Sequence, residues 1–446
     1  MARACLQIHL SLIFCKFLAT FLKNFAAVLD ILQKILQKNE QKFTKNQRQM
    51  NLKIGSRTIG NLKKRHAAES RFMLFGMISV GFALAFLLIL FAMIFAKSNF
   101  YRSEIALEIS VKEDDYRQAI KDAMRQRFPE ATKLAEINSL YQLVSKAANL
   151  EIKEQIKKNP DLKIFWISAA SKADMFFKHQ NISSLNDNQI RWLSDLKTKN
   201  QVRKVFNWKF FTFADSREPE IAGIGAGLIG SFLVMVIFLI FAFPIGIMCA
   251  FYLEEFAPKN RFTDIIEISI NNLAAIPSII YGLLGLTVYL QFMNLPRSSS
   301  LVGGMTLFML VLPVIIIATR NTIRSIPNSI RDGAAALGAS KMQITLHHLL
   351  PLAVPGIMTG TILAISRALG ETAPLLMIGM VAFIADIPQN FTDPTSVLPV
   401  QIYLWSDSPE SGFAEKTAAA ILVLLGFLII LNSAAIFLRK KFEIRW

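Results

Sequence analysis

Long apolar runs alternate with short polar turns along most of this chain, and a single extended polar stretch, residues 97–219, interrupts them. A membrane-crossing helix needs about 20 apolar residues. Six runs meet that requirement: Met73–Ala96, which carries no charge, then about Ile221–Tyr252, Ile265–Phe292, Leu301–Thr319, Leu352–Ile384 and Ala418–Leu438. Pro244, Pro277 and Pro313 lie inside spans. Prolines are tolerated there when neighbouring helices satisfy the freed carbonyls, so they favour a bundle over isolated anchors. The expected fold class is an all-α polytopic membrane protein with six transmembrane helices and a small α+β extracytoplasmic insert between the first and second.

Within the insert, Ile105–Val111 alternates like a strand, Asp114–Arg127 and Ala131–Ala148 read as helices, and Leu162–Ser168 reads as a second strand. The three cysteines, Cys5, Cys15 and Cys249, all lie outside it, so a packed core and not a disulfide framework must hold it. It contains no nucleophile–base pair, metal cluster or phosphate loop, which leaves docking or scaffolding as its role.

Composition agrees with the spans. Of 446 residues, 53% are hydrophobic and 18% charged, with a mean hydropathy of +0.41. A net charge of +17 raises nucleic acid as a partner. The basic residues cluster beside apolar spans, however, where positive-inside topology accounts for them. Lys53, Arg57, Lys63, Lys64, Arg65 and Arg71 precede the first span, and Arg439, Lys440, Lys441 and Arg445 follow the last. Both termini are thus expected in the cytoplasm of a cell with an inner membrane, together with the loops at Lys259–Arg261 and Arg320–Arg331. The more acidic loop Gln389–Lys416 and the long segment 97–219 fall outside.

The layout is a basic segment 1–71, a first helix 72–96, the domain 97–219, a five-helix core 220–438 and a tail 439–446. Phe14, Phe17, Leu18, Phe21, Leu22, Phe25, Val28, Leu29 and Leu32 recur at helical spacing with Lys16, Lys23 and Lys34 off the stripe. Two readings stand together: a basic amphipathic helix on the inner membrane surface, or translation starting at Met50 so that 1–49 is absent. An interrupted apolar stretch without a small-residue cleavage site disfavours a secretory signal.

Between the fourth and fifth spans runs IRDGAAALGASKMQITLHHLLP, residues 330–351. Asp332, Gly333 and Ala334 are followed by three residues, Gly338, and a helical run to Leu350 and Pro351. Small residues (Ala334, Ala335, Ala336, Ala339) suit close approach to a partner's cleft. Gly338 lets the chain turn, and Pro351 suits the first turn of the next span. An ordinary re-entry loop accounts for the alanines but not the whole spacing. Gly333 to Gly338 mimics a P-loop start, but no Lys-Ser/Thr follows, so an ATP-driven machine needs a separate ATPase.

In the fifth span, ISRALGETAPLL places Arg367 and Glu371 four residues apart, expected about midway through the membrane. A charge at that depth costs at least about 2.5–3.5 kcal/mol, so the pair should face a bundle interior or a wet cavity. Arginine's fork suits phosphate-like oxyanions. Glu371 would hold the guanidinium between anions, with Ser366 and Thr372 as hydroxyl donors. An ion pair that only fixes packing is the alternative. In NNLAAIPSIIYGLLG of the third span, Asn272, Ser278 and Tyr281 could line a polar path, whereas Gly282 and Gly285 read as close-packing positions. Glu254 and Glu255 should stay solvated or pair with nearby Lys or Arg.

From about Asn61 to Trp446 the chain resembles the PstA family, permease subunits of the bacterial phosphate ABC importer. The resemblance rests on KKRHAAESRF, YLEEFAPKN, NNLAAIPSIIYGLLGL, ALGASKMQITLHHLLPLAVPGIMTG, RALGETAPLL and SVLPVQIYLWSDSPE. Segment 97–219 resembles an extra extracytoplasmic domain found in a subset of that family. The resemblance implies the ABC importer permease fold and no catalytic residue, cofactor or metal of its own. It implies as partners a second permease subunit (PstC-like), a dimeric ATPase (PstB-like), an extracytoplasmic phosphate-binding protein (PstS-like) and the lipid bilayer. Arg367 and Glu371 then correspond to charged residues associated with phosphate translocation, and 330–351 to the loop that couples to the ATPase. Asp332 and Gly333 depart from the family's Glu-Ala, and His348 stands where an aliphatic residue is usual. A permease for sulfate, molybdate or phosphonate, and a sensor reading the outside through 97–219, are the competing classes. The sensor lacks a cytoplasmic output domain.

Overall fold

The computed structural model describes residues 56–109, 115–159, 162–179, 185–381 and 383–442. The amphipathic stripe at 14–32 lies outside these. The chain divides into two compact units, 1–89 and 90–446, and the division falls within α1, Ser56–Lys97. In the first unit Phe72, Phe75, Phe82 and Phe86 all stand exposed along α1. A helix apolar on every side has lipid as its natural surroundings.

In the second unit, β1 (Tyr101–Glu108) leads into α2 (Tyr116–Arg127), α3 (Leu134–Tyr141), α4 (Ala148–Lys158), β2 (Ile164–Ser168), α5 (Ser171–His179), α6 (Asp187–Thr198), β3 (Val202–Phe206) and the short α7 (Lys209–Thr212). The strands form an antiparallel sheet in the order β2-β1-β3, with Ile105 opposite Ile167 and Tyr101 opposite Phe206. Alternation along β1 sends Ile105 and Leu107 into a core with Phe165, Ile167, Met124, Leu140, Ile152 and Leu193. Asp115 caps α2 by accepting from Gln118 N, and a capping box of Asn186 and Gln189 starts α6. Of the expected helix Ala131–Ala148 only α3, Leu134–Tyr141, is helical before α4 starts at Ala148. Between them Val144 forms a bridge to Ala169 beside β2, a tertiary pairing that overrides local helix preference. Strand β3 went unread in the sequence.

The remaining elements are α8 (Gly225–Phe251), continued by a π-turn Tyr252–Phe256, then α9 (Arg261–Ala275), α10 (Ser278–Gly285) with a π-turn Leu286–Phe292, and α11 (Ser300–Ser325). After these come α12 (Asn328–Ala336), α13 (Lys341–Gln343) with a π-turn Ile344–Leu349, α14 (Leu350–Gly370), α15 (Ala373–Met377), α16 (Leu398–Ser406) and α17 (Ser411–Phe442). Among the described residues five helices are long and apolar enough to cross a membrane, or six if the bent pair α9/α10 counts as one. Helix α8 packs closely on α11: a Cβ on Gly304 would come within 2.6 Å of Ile237, and one on Gly246 within 2.7 Å of Ile315.

Two spans differ from expectation. The third bends by 101° at Ile276–Pro277. A proline drives the preceding residue out of the helical region, and Ile276 is extended at ψ 135°. The fifth stops at Gly370, with Glu371 extended at ψ 109° ahead of Pro374 in α15. It does not run on to Ile384. Pro351 lies in the first turn of α14, as expected, and the π-turn Ile344–Leu349 carries helical structure into that turn from the amino-terminal side.

Candidate translocation and coupling sites

Arg367 stands in the last turn of α14 and Glu371 is that helix's C-cap, so the pair marks a helix end and not the middle of a span. Arg367 Nε is 3.7 Å from Glu371 Oε1, beyond hydrogen-bond length, and 43% of the arginine side chain is exposed. Glu371 therefore does not occupy the guanidinium's donors. The bend in the third span is packed against the turn that follows. A Cβ on Gly282 of α10 would fall 2.7 Å from Pro374 Cα. Tyr281 donates its hydroxyl to Leu273 O at 2.7 Å, tying α10 to α9 across the bend.

Ser366 is committed elsewhere. Its hydroxyl lies 2.9 Å from Ile362 O and 3.1 Å from Asn432 Oδ1 on α17. Thr372 is half-buried between α14 and α15, and Asn272 is exposed on α9. Asn432 was not singled out in the sequence. A lone asparagine in an apolar helix is the available signal, because it needs a polar partner there. Arg439 likewise donates to Thr359 Oγ1 at 3.2 Å, a second polar tie between α17 and α14.

The segment 330–351 forms a helical hairpin tip. Helix α12 ends in a Schellman motif: Gly338, at φ +84°, donates to Ala335 O at 2.9 Å, and Ala339 donates to Ala334 O at 3.1 Å. Only glycine takes that φ without steric cost. Ser340 and Gln343 form a capping box that starts α13. Ala334 is buried against Ile323, Ile326, Ile344 and Leu349, while Asp332, Gly333, Ala335 and Ala336 are exposed and Leu337 is 90% exposed at the tip. Leu350 and Pro351 are half-buried where the π-turn joins α14.

Glu254 and Glu255 are paired, in a network that joins four elements. Arg320 of α11 donates to Glu254 at 2.6 Å and also pairs with Glu267 of α9. Arg324 donates to Glu254 at 3.0 Å. Arg331 of α12 reaches Glu255 Oε1 through Nη2 at 2.8 Å and Nε at 3.1 Å.

A second network lies within the inserted domain, and one bond beside it, from Trp405 to Asp215, reaches the helical bundle. Glu151 accepts from Arg102 at 3.1 Å, Lys209 at 2.9 Å, Ser168 Oγ at 2.6 Å and Ser168 N at 2.7 Å. Burial pushes the Glu151 carboxyl up, but Lys209, Ser168 and Arg102 together outweigh it and hold it below the usual range. Asp215 accepts from Trp405 Nε1 at 2.9 Å, and burial raises its carboxyl. Among the described residues no cluster of three or more His, Cys, Asp or Glu is placed to hold a metal ion.

Residues 242–444 match the family described as binding-protein-dependent transport system inner membrane component, and residues 60–187 match a domain of unknown function, DUF3333. The phosphate transport system permease protein PstA of Haemophilus influenzae is 32% identical over 233 residues, 52% of this chain and 80% of the relative. PstA of Yersinia pestis is 32% identical over 50% of this chain and 76% of its own length. A probable ABC transporter permease protein of Bacillus subtilis, YqgI, is 31% identical over 48% and 76% respectively. Among solved structures, an inward-facing MetNI methionine ABC transporter matches 49% of this chain and 97% of its own, at 17% identity and a TM-score of 0.40.

Proposed function

The chain belongs to the PstA family of ABC importer permeases, and we propose that its cargo is inorganic phosphate. As a permease subunit it is a multi-pass membrane protein, and ATP is hydrolysed by a separate subunit. The observation that carries the phosphate reading is Arg367, a half-exposed guanidinium at the end of α14 whose carboxylate neighbour stands 3.7 Å away. Phosphate accepts paired N–H donors from such a fork. Glu371 would compete for the same guanidinium, so the anion is held briefly and released. Thr372 and Asn272 are the further polar groups assigned to the path. Ser366 acts through Asn432 and not by direct contact.

In this reading both termini and the tip 330–351 are cytoplasmic, as the Lys and Arg distribution indicates. Asp332, Gly333, Ala334, Gly338, Leu350 and Pro351 form the segment seated on the ATPase dimer. Closure of that dimer would push the tip and open the bundle outward to a docked phosphate-binding protein, and hydrolysis would reset it. A second, homologous permease subunit completes the pore.

The match to YqgI, whose name specifies no cargo, keeps another oxyanion as the second reading. Phosphate uptake in cells lacking this gene, restored with the wild-type chain or with Arg367→Gln, separates the two. Restoration by the wild type alone, unaffected by sulfate or molybdate, is expected. Strong competition by either anion would overturn the cargo and leave the permease assignment standing.

A further inference from the structure

Helix α11 ends at Ser325, where the N–H of its C-cap Ile326 donates to Ile323 O at 3.2 Å. Arg331, in the first turns of α12, adds a second donor to that carbonyl and one to Ile326 O. Its Nη2 donates to Ile323 O at 3.0 Å and its Nη1 to Ile326 O at 2.9 Å. Nη1 also lies 3.3 Å from Asn328 Oδ1. The remaining face of the guanidinium grips Glu255. One side chain thus stitches the end of α11, the start of α12 and the end of α8.

The π-turn Tyr252–Phe256 makes the grip possible. It closes with Ala257 N donating to Tyr252 O at 2.8 Å. Its two adjacent glutamates serve two neighbours at once: Glu254 turns to Arg320 and Arg324 of α11, and Glu255 turns to Arg331 of α12. Arg320 is 5% exposed and Glu254 little more, so their junction is a buried joint. Arg331 and Glu255 keep 21% and 15% of their side chains exposed. Charge-assisted hydrogen bonds with two donors to one carboxylate oxygen fix orientation as well as distance.

We propose that Arg331 and Glu255 are positioning residues that make the tip 330–351 and the end of α8 move as one body, so that displacement of α12 is delivered to α8. Glu254, Arg320 and Glu267 anchor the same motion to α9 and α11. The proposal rests on the reading of 330–351 as the segment seated on the ATPase, but not on the cargo being phosphate. Without Glu255, α12 stays attached to the end of α11 through Ala334, the short link Ile326–Pro327 and the bonds of Arg331 to Ile323 O and Ile326 O, but its push no longer reaches the end of α8 directly.

Spin labels test this in the full permease–ATPase complex in lipid nanodiscs. They are placed on Leu337→Cys at the tip and Lys259→Cys beyond α8, in a chain whose native cysteines are replaced. The expected result is one label-to-label distance, the same without nucleotide and with ATP and vanadate. In Glu255→Ala the distance should differ between the two conditions, with ATP hydrolysis retained and transport per ATP reduced severalfold. Should Glu255→Ala fail to assemble, Glu255→Gln and Arg331→Lys weaken the clasp with less loss of packing. A distance that shifts with nucleotide in the unmutated pair would overturn the proposal, as would one that stays fixed in every clasp variant. A complex that assembles but hydrolyses no ATP would overturn the coupling reading beneath it.

Discussion

Lys178 Nζ on α5 lies 3.1 Å from Glu415 Oε2 on α17, and only 5% of the lysine side chain reaches solvent. The same ammonium pairs with Asp174 one turn earlier in α5. The inserted domain is therefore joined to the start of the last long helix through a nearly dry ion pair, not through its chain connections alone. Removing one partner of a buried pair strands the other and costs about 3–5 kcal/mol. Lys178→Ala should lower the melting temperature of the purified protein. The triple change Lys178→Met, Glu415→Leu and Asp174→Asn, which leaves neither carboxylate without its cation, should recover most of the loss. Equal melting for wild type and Lys178→Ala would mean that the junction is held by its aromatic contacts instead.

Two carboxyls of the inserted domain should respond to pH in opposite directions. Glu151 is held below its usual range in the folded chain, so its contribution is present above the unfolded value of about 4.3 and is lost as pH falls through the folded one. Asp215 is raised by burial, so folding is free of its cost below about 3.9, and the cost grows as pH rises through the folded value. Asp215→Asn should therefore match wild type in acid and melt higher at neutral pH. Glu151→Gln should melt lower at neutral pH and approach wild type in acid. Melting curves between pH 3 and 8 would read both, and parallel curves for either variant would refute its assignment.

The spans could be read from the sequence because each is a local property: an apolar run, its flanking charges and a proline. The turn at Gly338 was equally legible, since small residues and a glycine announce it. The effect of proline was not, because the same residue is a mild kink in one span and a stop in another. Pro313 sits within an unbroken α11, whereas Pro277 divides α9 from α10 at 101°. The bent pair packs through Gly282 on Pro374, and the two lie 92 residues apart in sequence. For the same reason Arg367 and Glu371 were legible as a pair, but the helix end on which they stand was not. The partners of Glu255, Lys178 and Ser366 lie 76, 237 and 66 residues away, where no periodicity reaches.

The two glycines of the tip should behave differently when replaced by alanine. A Cβ on Gly333 meets nothing within 4 Å, and the residue lies inside α12. Gly333→Ala should stabilise the helix by about 0.5–1 kcal/mol and leave transport intact or improved. Gly338 holds φ +84°, where a side chain costs roughly 1–2 kcal/mol, so Gly338→Ala should loosen the Schellman turn and reduce transport per ATP. Amide exchange at Gly338 and Ala339, whose N–H groups close the turn, would separate the two: faster in Gly338→Ala, unchanged or slower in Gly333→Ala.

Arg367 and its neighbour Ser366 separate contact with the cargo from support of the helix that presents it. Arg367→Lys retains the charge but loses the planar fork, so phosphate uptake should show a raised KM beyond what charge alone predicts. Ser366→Ala removes the hydroxyl shared between Ile362 O and Asn432 Oδ1. It should cost about 1 kcal/mol of stability and leave KM unchanged, because the hydroxyl faces α17. Asn432→Leu should reproduce Ser366→Ala, and the double variant should be no worse than either single one, since both delete one interaction. A raised KM in Ser366→Ala alone would place the hydroxyl on the cargo and reassign the α14–α17 tie to Thr359 and Arg439.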